Sequence, residues 1–149
     1  MNDDFFMEKA LELARKAADE GEVPVGAVVV INGEIVGTGR NRREKDRNAL
    51  AHAELEAIDE ACRRLGGWRL WQCDMYVTLE PCPMCTGAII NSRIKRLVYG
   101  ASDKKAGSCG SIVDLFSLPY NHKPEVVSGV KGDECSAILS DFFKRLRKK

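Results

Sequence analysis

The chain has 149 residues, of which 44% are hydrophobic and 30% are charged, a balance typical of an ordinary globular protein. This length predicts a single domain over residues 1–149. The amino-terminal stretch begins with acidic residues and has no continuous apolar centre, so the sequence predicts no signal peptide. No apolar run reaches membrane-spanning length, and we therefore expect no membrane segment and a cytoplasmic location.

The net charge is +1, but basic residues are concentrated at the carboxyl terminus. The last six residues, KRLRKK, contain five of the 23 Lys and Arg residues, so the rest of the chain carries 18 basic against 22 acidic residues. A basic tail on a mildly acidic body can bind a polyanion at one place. A solvated, frayed terminus explains the same pattern.

The first predicted element is an amphipathic helix from about Asp3 to Glu20, with Gly21 as its stop signal. Its apolar residues recur at spacings of three and four, at Phe6, Ala10, Leu13, Ala14 and Ala17. Two short apolar runs follow. The Asn32-Gly33 pair between them predicts a β-hairpin.

The remaining sequence alternates between helical and strand patterns. In chain order it predicts a polar loop at 41–48, a helix at 51–67, a strand at 74–80, a helix beginning at or near Pro81, a strand at 93–101, a strand at 125–130 and a closing helix at 133–148. In the closing helix the inward residues are expected to be Cys135, Ile138, Leu139 and Phe142. The pattern as a whole predicts an α/β fold, a three-layer α/β/α sandwich with a five-stranded mixed sheet.

Cys82 and Cys85 indicate a metal site. They lie three residues apart on the predicted first turn of a helix, so both sulfurs can reach one point, and the helix amino terminus favours the thiolate form that binds metal. His52 begins the preceding helix and supplies an imidazole. Three protein ligands with one open position form the pattern of a catalytic zinc site. Glu54, two residues after His52, is then a general acid/base that takes a proton from the zinc-bound water.

Two other interpretations of these cysteines remain open from the residues alone. A CxxC pair is also found as a redox pair in cytosolic proteins. A structural zinc site would be closed by two further ligands from the four remaining cysteines, Cys62, Cys73, Cys109 and Cys135. Those four lie singly along the chain, where small buried cysteines are common. The second histidine, His122, lies in a loop-like segment.

The HxE segment and the PCxxC segment together resemble the signature of the zinc-dependent cytidine and adenosine deaminases. Within them the chain resembles the bacterial tRNA-specific adenosine deaminases, through VPVGAVVV, GRNRRE, AHAELEAI, TLEPCPMC and LSDFFK. The resemblance implies a cytidine deaminase-like fold, with His52, Cys82 and Cys85 as ligands of one Zn²⁺ per subunit. It also makes Glu54 the proton shuttle.

The resemblance further implies four substrate contacts, each of which also has an ordinary structural explanation. Asn41 matches an asparagine at the substrate sugar and base, or is a loop residue at a strand end. Asp103 matches an aspartate at the ribose of the flipped nucleotide, or is a turn residue. Asn121 and Phe143 are expected to contact anticodon-loop nucleotides, although core packing also explains Phe143.

The implied reaction is hydrolytic deamination of adenosine to inosine at the wobble position of a tRNA anticodon, usually that of an arginine tRNA. An anticodon loop suits this chemistry because its bases are already partly unstacked. The resemblance also implies a homodimer, and the basic tail would then bind tRNA phosphates. Two alternatives are a free-base deaminase for guanine or cytosine and a noncatalytic zinc-stabilised RNA-binding protein. The presence of Glu54 argues against the noncatalytic protein.

Overall fold

The computed structural model describes residues 2–148 and contains a five-stranded mixed sheet between two layers of helices, as predicted. The helices are α1 (Asp3–Asp19), α2 (Arg43–Asp46), α3 (Ala53–Leu65), α4 (Pro83–Asn91) and α5 (Gly132–Arg147), with a 3-10 turn at Leu115–Ser117. The strands are β1 (Gly26–Ile31), β2 (Glu34–Arg40), β3 (Asp74–Leu79), β4 (Arg96–Ala101) and β5 (Glu125–Ser128). None of the helices within 2–148 has the length and apolar character needed to span a bilayer.

The sheet begins with the predicted hairpin. Asn32 and Gly33 connect β1 to β2 with positive φ angles of 50° and 78°, the backbone that a tight two-residue hairpin turn requires. The strand order is β2-β1-β3-β4-β5, in which β1 is antiparallel to both neighbours. Strands β3, β4 and β5 are parallel to one another. The carboxyl ends of β3 and β4 therefore lie together at one edge of the sheet.

Both faces of the sheet are buried. Because successive strand residues point to opposite sides, alternate residues pack on each face. Val28, Val30, Tyr76 and Val98 pack with α1 and Cys135 of α5. Ala27, Val29, Met75, Val77 and Leu97 pack with α3, α4 and Phe116 of the 3-10 turn. The central strands therefore read as continuous apolar runs. Cys135 and Phe142 of α5 are buried as predicted, and Ile138 and Leu139 are partly buried.

Helix α3 lies unusually close to β2. Gly37 and Gly39 share one face of the strand, and a Cβ atom at either would lie 2.1 Å from the carbonyl oxygen of Ala57 or Ala53, respectively. Because neither glycine has a side chain and α3 presents alanines, the helix backbone rests almost directly on the strand. This contact fixes the position of the amino terminus of α3, where His52 and Glu54 lie.

Two predicted features differ from the structure. The predicted polar loop at 41–48 contains the short helix α2, which the sequence pattern does not indicate. Helix α4, predicted to begin at or near Pro81 with Cys82 in its first turn, begins at Pro83, with Cys82 as its extended N-cap at φ −75° and ψ 175°. The physical reason is Pro83, since a residue before proline is pushed out of the helical region while proline itself suits the first helical position.

Candidate metal centre and active-site cavity

The amino termini of α3 and α4 meet at the edge of the sheet where β3 ends. His52 is the N-cap of α3 and Cys82 is the N-cap of α4, while Cys85 lies in the first turn of α4. Cys85 is fully buried, and His52 and Cys82 are partly exposed. The structure therefore brings the three predicted ligands together, although only Cys85 lies inside the helix.

The distances between these side chains match a tetrahedral zinc site. His52 Nδ1 lies 3.8 Å from Cys82 Sγ and 3.5 Å from Cys85 Sγ. With Zn–N and Zn–S bonds of usual length and a tetrahedral angle, the nitrogen and sulfur would be about 3.6 Å apart. The candidate ligand atoms of all three residues lie within 4.8 Å of one another. One imidazole and two sulfurs are also the donor types that zinc prefers.

Residues 2–148 do not form the alternative structural zinc site. Within residues 2–148, the potential metal-binding group comprises His52, Cys82 and Cys85 and includes none of the other cysteines. All six cysteines, each within the described part of the chain, are free. His122 contacts the Ile94 carbonyl oxygen through Nε2 at 2.6 Å and is not part of the group. Three ligands leave a fourth position, which is the arrangement of a catalytic site.

Glu54 lies next to the candidate metal ligands in a buried environment. It occupies the second position of α3, is 4% exposed and lines the same cavity as His52 and Cys82. Burial raises the pKa of Glu54 to about 7, because the charged carboxylate loses contact with water. A carboxyl group with a pKa near neutrality can both accept and release a proton at physiological pH, as a proton shuttle must.

A hydrogen bond between the two cysteines shifts their pKa values in opposite directions. The pKa of Cys82 is lowered to about 4, chiefly because the Cys85 thiol donates a hydrogen bond to the Cys82 sulfur. Burial opposes this lowering, and the neighbouring His52 contributes to it. The same hydrogen bond, together with burial, raises the pKa of Cys85. Cys82 is therefore the thiolate expected at the start of this helix.

A cavity of about 550 Å³ opens above the metal ligands, a size within the usual range of small-molecule sites. Its floor contains His52, Glu54 and Cys82. Its walls come from five parts of the chain and include Val23, Val25, Asn41, Arg43, Leu79, Glu80, Ser102, Asp103, Lys104, Lys105, Ala106, Leu139 and Phe143. The cavity thus combines apolar walls with a few converging polar groups.

Asn41 lines the cavity and also makes structural hydrogen bonds at the end of β2. Its backbone N–H donates to the Val25 carbonyl oxygen, and its side-chain Oδ1 accepts a hydrogen bond of 2.9 Å from the N–H of Ala53. The side chain thus ties the end of β2 to the start of α3, directly beside His52. Because Oδ1 is engaged, the amide group that remains available at the cavity is the NH₂ donor.

Asp103 and Phe143 also line the cavity. One oxygen of Asp103 accepts hydrogen bonds from the N–H groups of Lys105 and Ala106, so the residue forms a local turn as well as part of the wall. Phe143 is 39% exposed, which does not fit the core-packing interpretation. Asn121 lies exposed in the segment before β5 and is not among the residues that line the cavity.

Two buried glutamates of the cavity region have no role in the sequence interpretation. Glu22 is 2% exposed, and its carboxylate accepts hydrogen bonds from the N–H groups of Glu44 (3.1 Å) and Lys45 (2.8 Å), next to Arg43. Glu80 is 1% exposed and binds the segment after β4. A signal for Glu80 existed, because it directly precedes the PCxxC segment. Glu22 has no comparable local signal.

Burial and hydrogen bonding act on Glu80 in opposite directions. Burial raises its pKa, but hydrogen bonds from Ser111, Asp103 and Cys109 outweigh this and lower the pKa below its usual value. Glu80 is therefore a carboxylate surrounded by donors, whereas the pKa of Glu54 lies near neutrality. The two buried acids beside the metal ligands are thus suited to different tasks.

Comparison with known proteins identifies the family. The family model of the MafB19-like deaminases matches residues 1–147. The tRNA-specific adenosine deaminase of Bacillus subtilis (strain 168) is 51% identical over 148 residues, which cover 99% of this chain and 92% of that protein. A solved structure from studies of A-to-I editing by tRNA:A34 deaminases superimposes with a TM-score of 0.88 at 47% identity, covering 91% of this chain and 99% of that one.

A deaminase with a different substrate is similar to a lesser degree. The solved structure of guanine deaminase from Bacillus subtilis gives a TM-score of 0.67 at 39% identity and covers 78% of this chain and 74% of that one. The match with the tRNA:A34 deaminase is better in structural similarity, in identity and in coverage. The chain therefore belongs to the deaminase family and, within it, to the tRNA-specific adenosine deaminases.

Proposed function

We propose that this protein converts the wobble adenosine of a tRNA anticodon, A34, to inosine, with release of ammonia. The observation that carries the chemistry is the placement of buried Glu54 beside the His52, Cys82 and Cys85 group at the floor of an open cavity. The substrate class follows from the relatives, since the two most similar proteins described above are named for tRNA adenosine deamination. An arginine tRNA is the expected substrate, in line with the family resemblance.

The residues present fit one Zn²⁺ per subunit, held by His52, Cys82 and Cys85. When bound, zinc would supply a water molecule whose pKa is lowered to about 7. Glu54 is then placed to take the proton of the attacking water and to deliver it to ring N1 of adenine. The water oxygen becomes bonded to adenine C6, and Glu54 next carries the remaining proton of that oxygen to the amino group as the C6–N6 bond breaks, so that adenosine and water become inosine and ammonia.

The walls of the cavity support an RNA substrate. Arg43, Lys104 and Lys105 line it and provide positive charge near the opening. Phe143 contributes an exposed aromatic ring on which a base can stack. Phosphate groups that flank a flipped nucleotide would meet these cations. A free base carries no phosphate and would make no use of them.

The basic end of α5 extends from the same region. Phe143 lines the cavity, the helix continues through Lys144, Arg145 and Arg147, and Lys148 is its C-cap. The final residue of the basic tail, Lys149, lies outside the described residues. Because the helix places this charge next to the cavity, we expect it to bind tRNA phosphates. The exposed Asn121 would contact anticodon-loop nucleotides outside the cavity.

We also propose that the protein acts as a homodimer in the cytoplasm. Seven of the twelve large exposed apolar side chains among the described residues fall in two segments, at Leu65, Trp68, Trp71, Ile112, Val113, Leu118 and Tyr120. One segment is tied to the end of α4 by the Leu70 N–H, which donates to the Ser92 carbonyl oxygen, and the other contains the 3-10 turn that packs on α4. Exposed apolar groups of this kind suit a subunit interface. Light scattering at micromolar concentration would measure the mass, and a monomer would refute the proposal.

A substrate panel tests the function. Purified zinc-loaded protein is incubated with unmodified tRNA that carries A34, with the same tRNA carrying G34, and with free guanine, cytosine and adenosine. We expect inosine and ammonia from the A34 tRNA and no ammonia from the others. Ammonia released from a free base, with none from tRNA, would decide for the free-base deaminase. Zinc binding without turnover of any substrate would support the noncatalytic alternative.

A further inference from the structure

Glu80 connects the end of β3 to a loop that forms one wall of the cavity. Its carboxylate accepts hydrogen bonds from the backbone N–H groups of Asp103 (3.0 Å), Cys109 (3.0 Å) and Ser111 (3.1 Å). The Ser111 hydroxyl donates a further hydrogen bond to it. All of these donors lie in residues 102–111, which we call the wall loop. The chain thus uses one buried side chain to gather both ends of this loop.

Both oxygens of Glu80 are engaged. Oε1 accepts from the Asp103 N–H and the Ser111 hydroxyl, and Oε2 accepts from the N–H groups of Cys109 and Ser111. A glutamine has the same shape, but its NH₂ group cannot accept a hydrogen bond. Whichever way it is turned, it would place a donor against at least one backbone N–H. The arrangement therefore requires a carboxylate.

The wall loop is wrapped tightly around this carboxylate. A Cβ atom at Gly107 would lie 2.4 Å from Glu80 Cδ and 2.4 Å from the Asp103 carbonyl oxygen. The Gly107 N–H in turn donates to that carbonyl oxygen at 2.9 Å. The turn from 103 to 107 consequently closes directly over Glu80, and only glycine fits at its end.

The wall loop lines the cavity with side chains and touches the Cys82 segment through the Ser108 N–H, which donates to the Pro81 carbonyl oxygen, whereas the other candidate ligands rest on helices. Asp103, Lys104 and Lys105 line the cavity from the loop. His52 and Glu54 are held by α3, and Cys85 is held by α4. Movement of the loop would therefore change how the substrate is held more than how water is activated. This separation makes the role of the loop measurable.

We propose that Glu80 is a positioning residue, whose buried carboxylate fixes the wall loop so that Asp103, Lys104 and Lys105 meet the nucleotide. The contact of these side chains with a nucleotide rests on the proposed function. The fixing of the loop depends only on the hydrogen bonds to Glu80. A residue that positions a binding wall contributes to binding of substrate and transition state alike, and its loss raises KM more than it lowers kcat.

Glu80→Gln tests this assignment, with Glu60→Gln as the matched control. Glu60 also accepts hydrogen bonds from a backbone N–H and a hydroxyl, both of Thr38, but it does not line the cavity. Zinc content, hydrogen–deuterium exchange of the backbone amides and steady-state kinetics on A34 tRNA are measured for both variants and the wild type.

For Glu80→Gln we expect unchanged zinc content, exchange of the amides of Asp103, Cys109 and Ser111 faster by about ten-fold or more, and KM raised by about ten-fold or more with kcat within about three-fold. For Glu60→Gln we expect wild-type kinetics and wild-type amide exchange, because both Thr38 groups donate to one oxygen, Oε1, and glutamine retains such an acceptor. Unchanged exchange in the wall loop, or an unchanged KM, would overturn the proposal. A fall in kcat alone would overturn it as well.

A second variant and the exchange data keep the proposal testable if Glu80→Gln does not fold or the wild type is inactive. If Glu80→Gln fails to fold, Ser111→Ala removes one hydroxyl donor and leaves the carboxylate, so it should give a smaller increase in the same amide exchange. Unchanged exchange in that variant would then count against the proposal. If the wild type does not deaminate tRNA, the proposed function fails, while the exchange data still decide whether Glu80 fixes the loop.

Discussion

Gly39 provides a direct test of how the fold positions the candidate metal ligands. It contacts Ala53, which is the first residue of α3 and directly follows His52. A Cβ atom at Gly39 would lie 2.1 Å from the Ala53 carbonyl oxygen, whereas ordinary van der Waals contact begins at 3.4 Å. In Gly39→Ala, β2 and α3 must therefore move apart by about 1.3 Å, the difference of these distances. Both are backbone elements that cannot rotate out of the way.

A shift of this size is large for a metal site, where ligand distances hold to within about 0.2 Å. We expect Gly39→Ala to lose about 1–3 kcal/mol of unfolding free energy through overpacking. We also expect zinc affinity to fall by about 10- to 100-fold, because His52 moves relative to Cys82 and Cys85. Urea denaturation measures the first effect, and competition with a chelator of known affinity measures the second.

Gly87→Ala is the matched control. Gly87 lies in α4 two residues after Cys85, and a Cβ atom there would have nothing within 4 Å. Since alanine favours a helix more than glycine does, the free energy of unfolding of this variant should be higher by about 0.5–1 kcal/mol, and its zinc affinity should equal that of the wild type. If Gly39→Ala binds zinc and unfolds as the wild type does, the close contact of α3 with β2 does not place the ligands as we argue.

Three further predictions concern the shuttle, the stability and the RNA contact. Glu54→Ala should keep one zinc per subunit by metal analysis and lose deamination of A34 tRNA, and substantial residual activity would refute the shuttle role. A hydrogen bond from Arg96 lowers the pKa of Asp3 below its ordinary 3.8, so the stability contributed by this pair is fully present above pH 3.8 and is lost as the pH falls through the lower folded-state pKa. Asp3→Asn should lower the free energy of unfolding by about 2 kcal/mol at pH 7. It should also weaken the fall of this free energy between pH 7 and pH 2, and an unchanged pH dependence would contradict the prediction. Binding of tRNA should weaken with salt, and Arg145→Gln with Arg147→Gln should reduce the slope of log K against log salt by about 1 to 2, whereas an unchanged slope would remove α5 from the RNA-binding surface.

Much of the site could be predicted because its signals are local. His52 and Glu54 lie two residues apart, and Cys82 and Cys85 lie three apart, each pair at the start of a helix. The hairpin at Asn32-Gly33 was equally readable, since the turn geometry depends on two residues. The predicted start of α4 at or near Pro81 is close to the observed start at Pro83, but the restriction that Pro83 imposes on Cys82 makes this residue the N-cap instead of part of the first turn.

Other parts of the site could not be predicted because they depend on contacts between distant segments. Glu22 binds amides 22 and 23 residues away, and Glu80 binds amides 23 to 31 residues away. A glutamate in a sequence is ordinarily a solvated surface residue, and nothing local shows that another loop will bury it. The roles of Arg43, Lys104 and Lys105 at the cavity were missed for the same reason.

By itself, the sequence determined the chemistry of this protein, because the kinds of donor atom and their spacing along the chain are properties of short segments. It also determined the order of helices and strands, through apolar periodicity. Only the tertiary structure decided which loops stand around the reacting centre and which buried acid holds them. Those contacts arise when the sheet brings the end of β3 beside the end of β4, and the free energy of a buried carboxylate depends on the donors that surround it there.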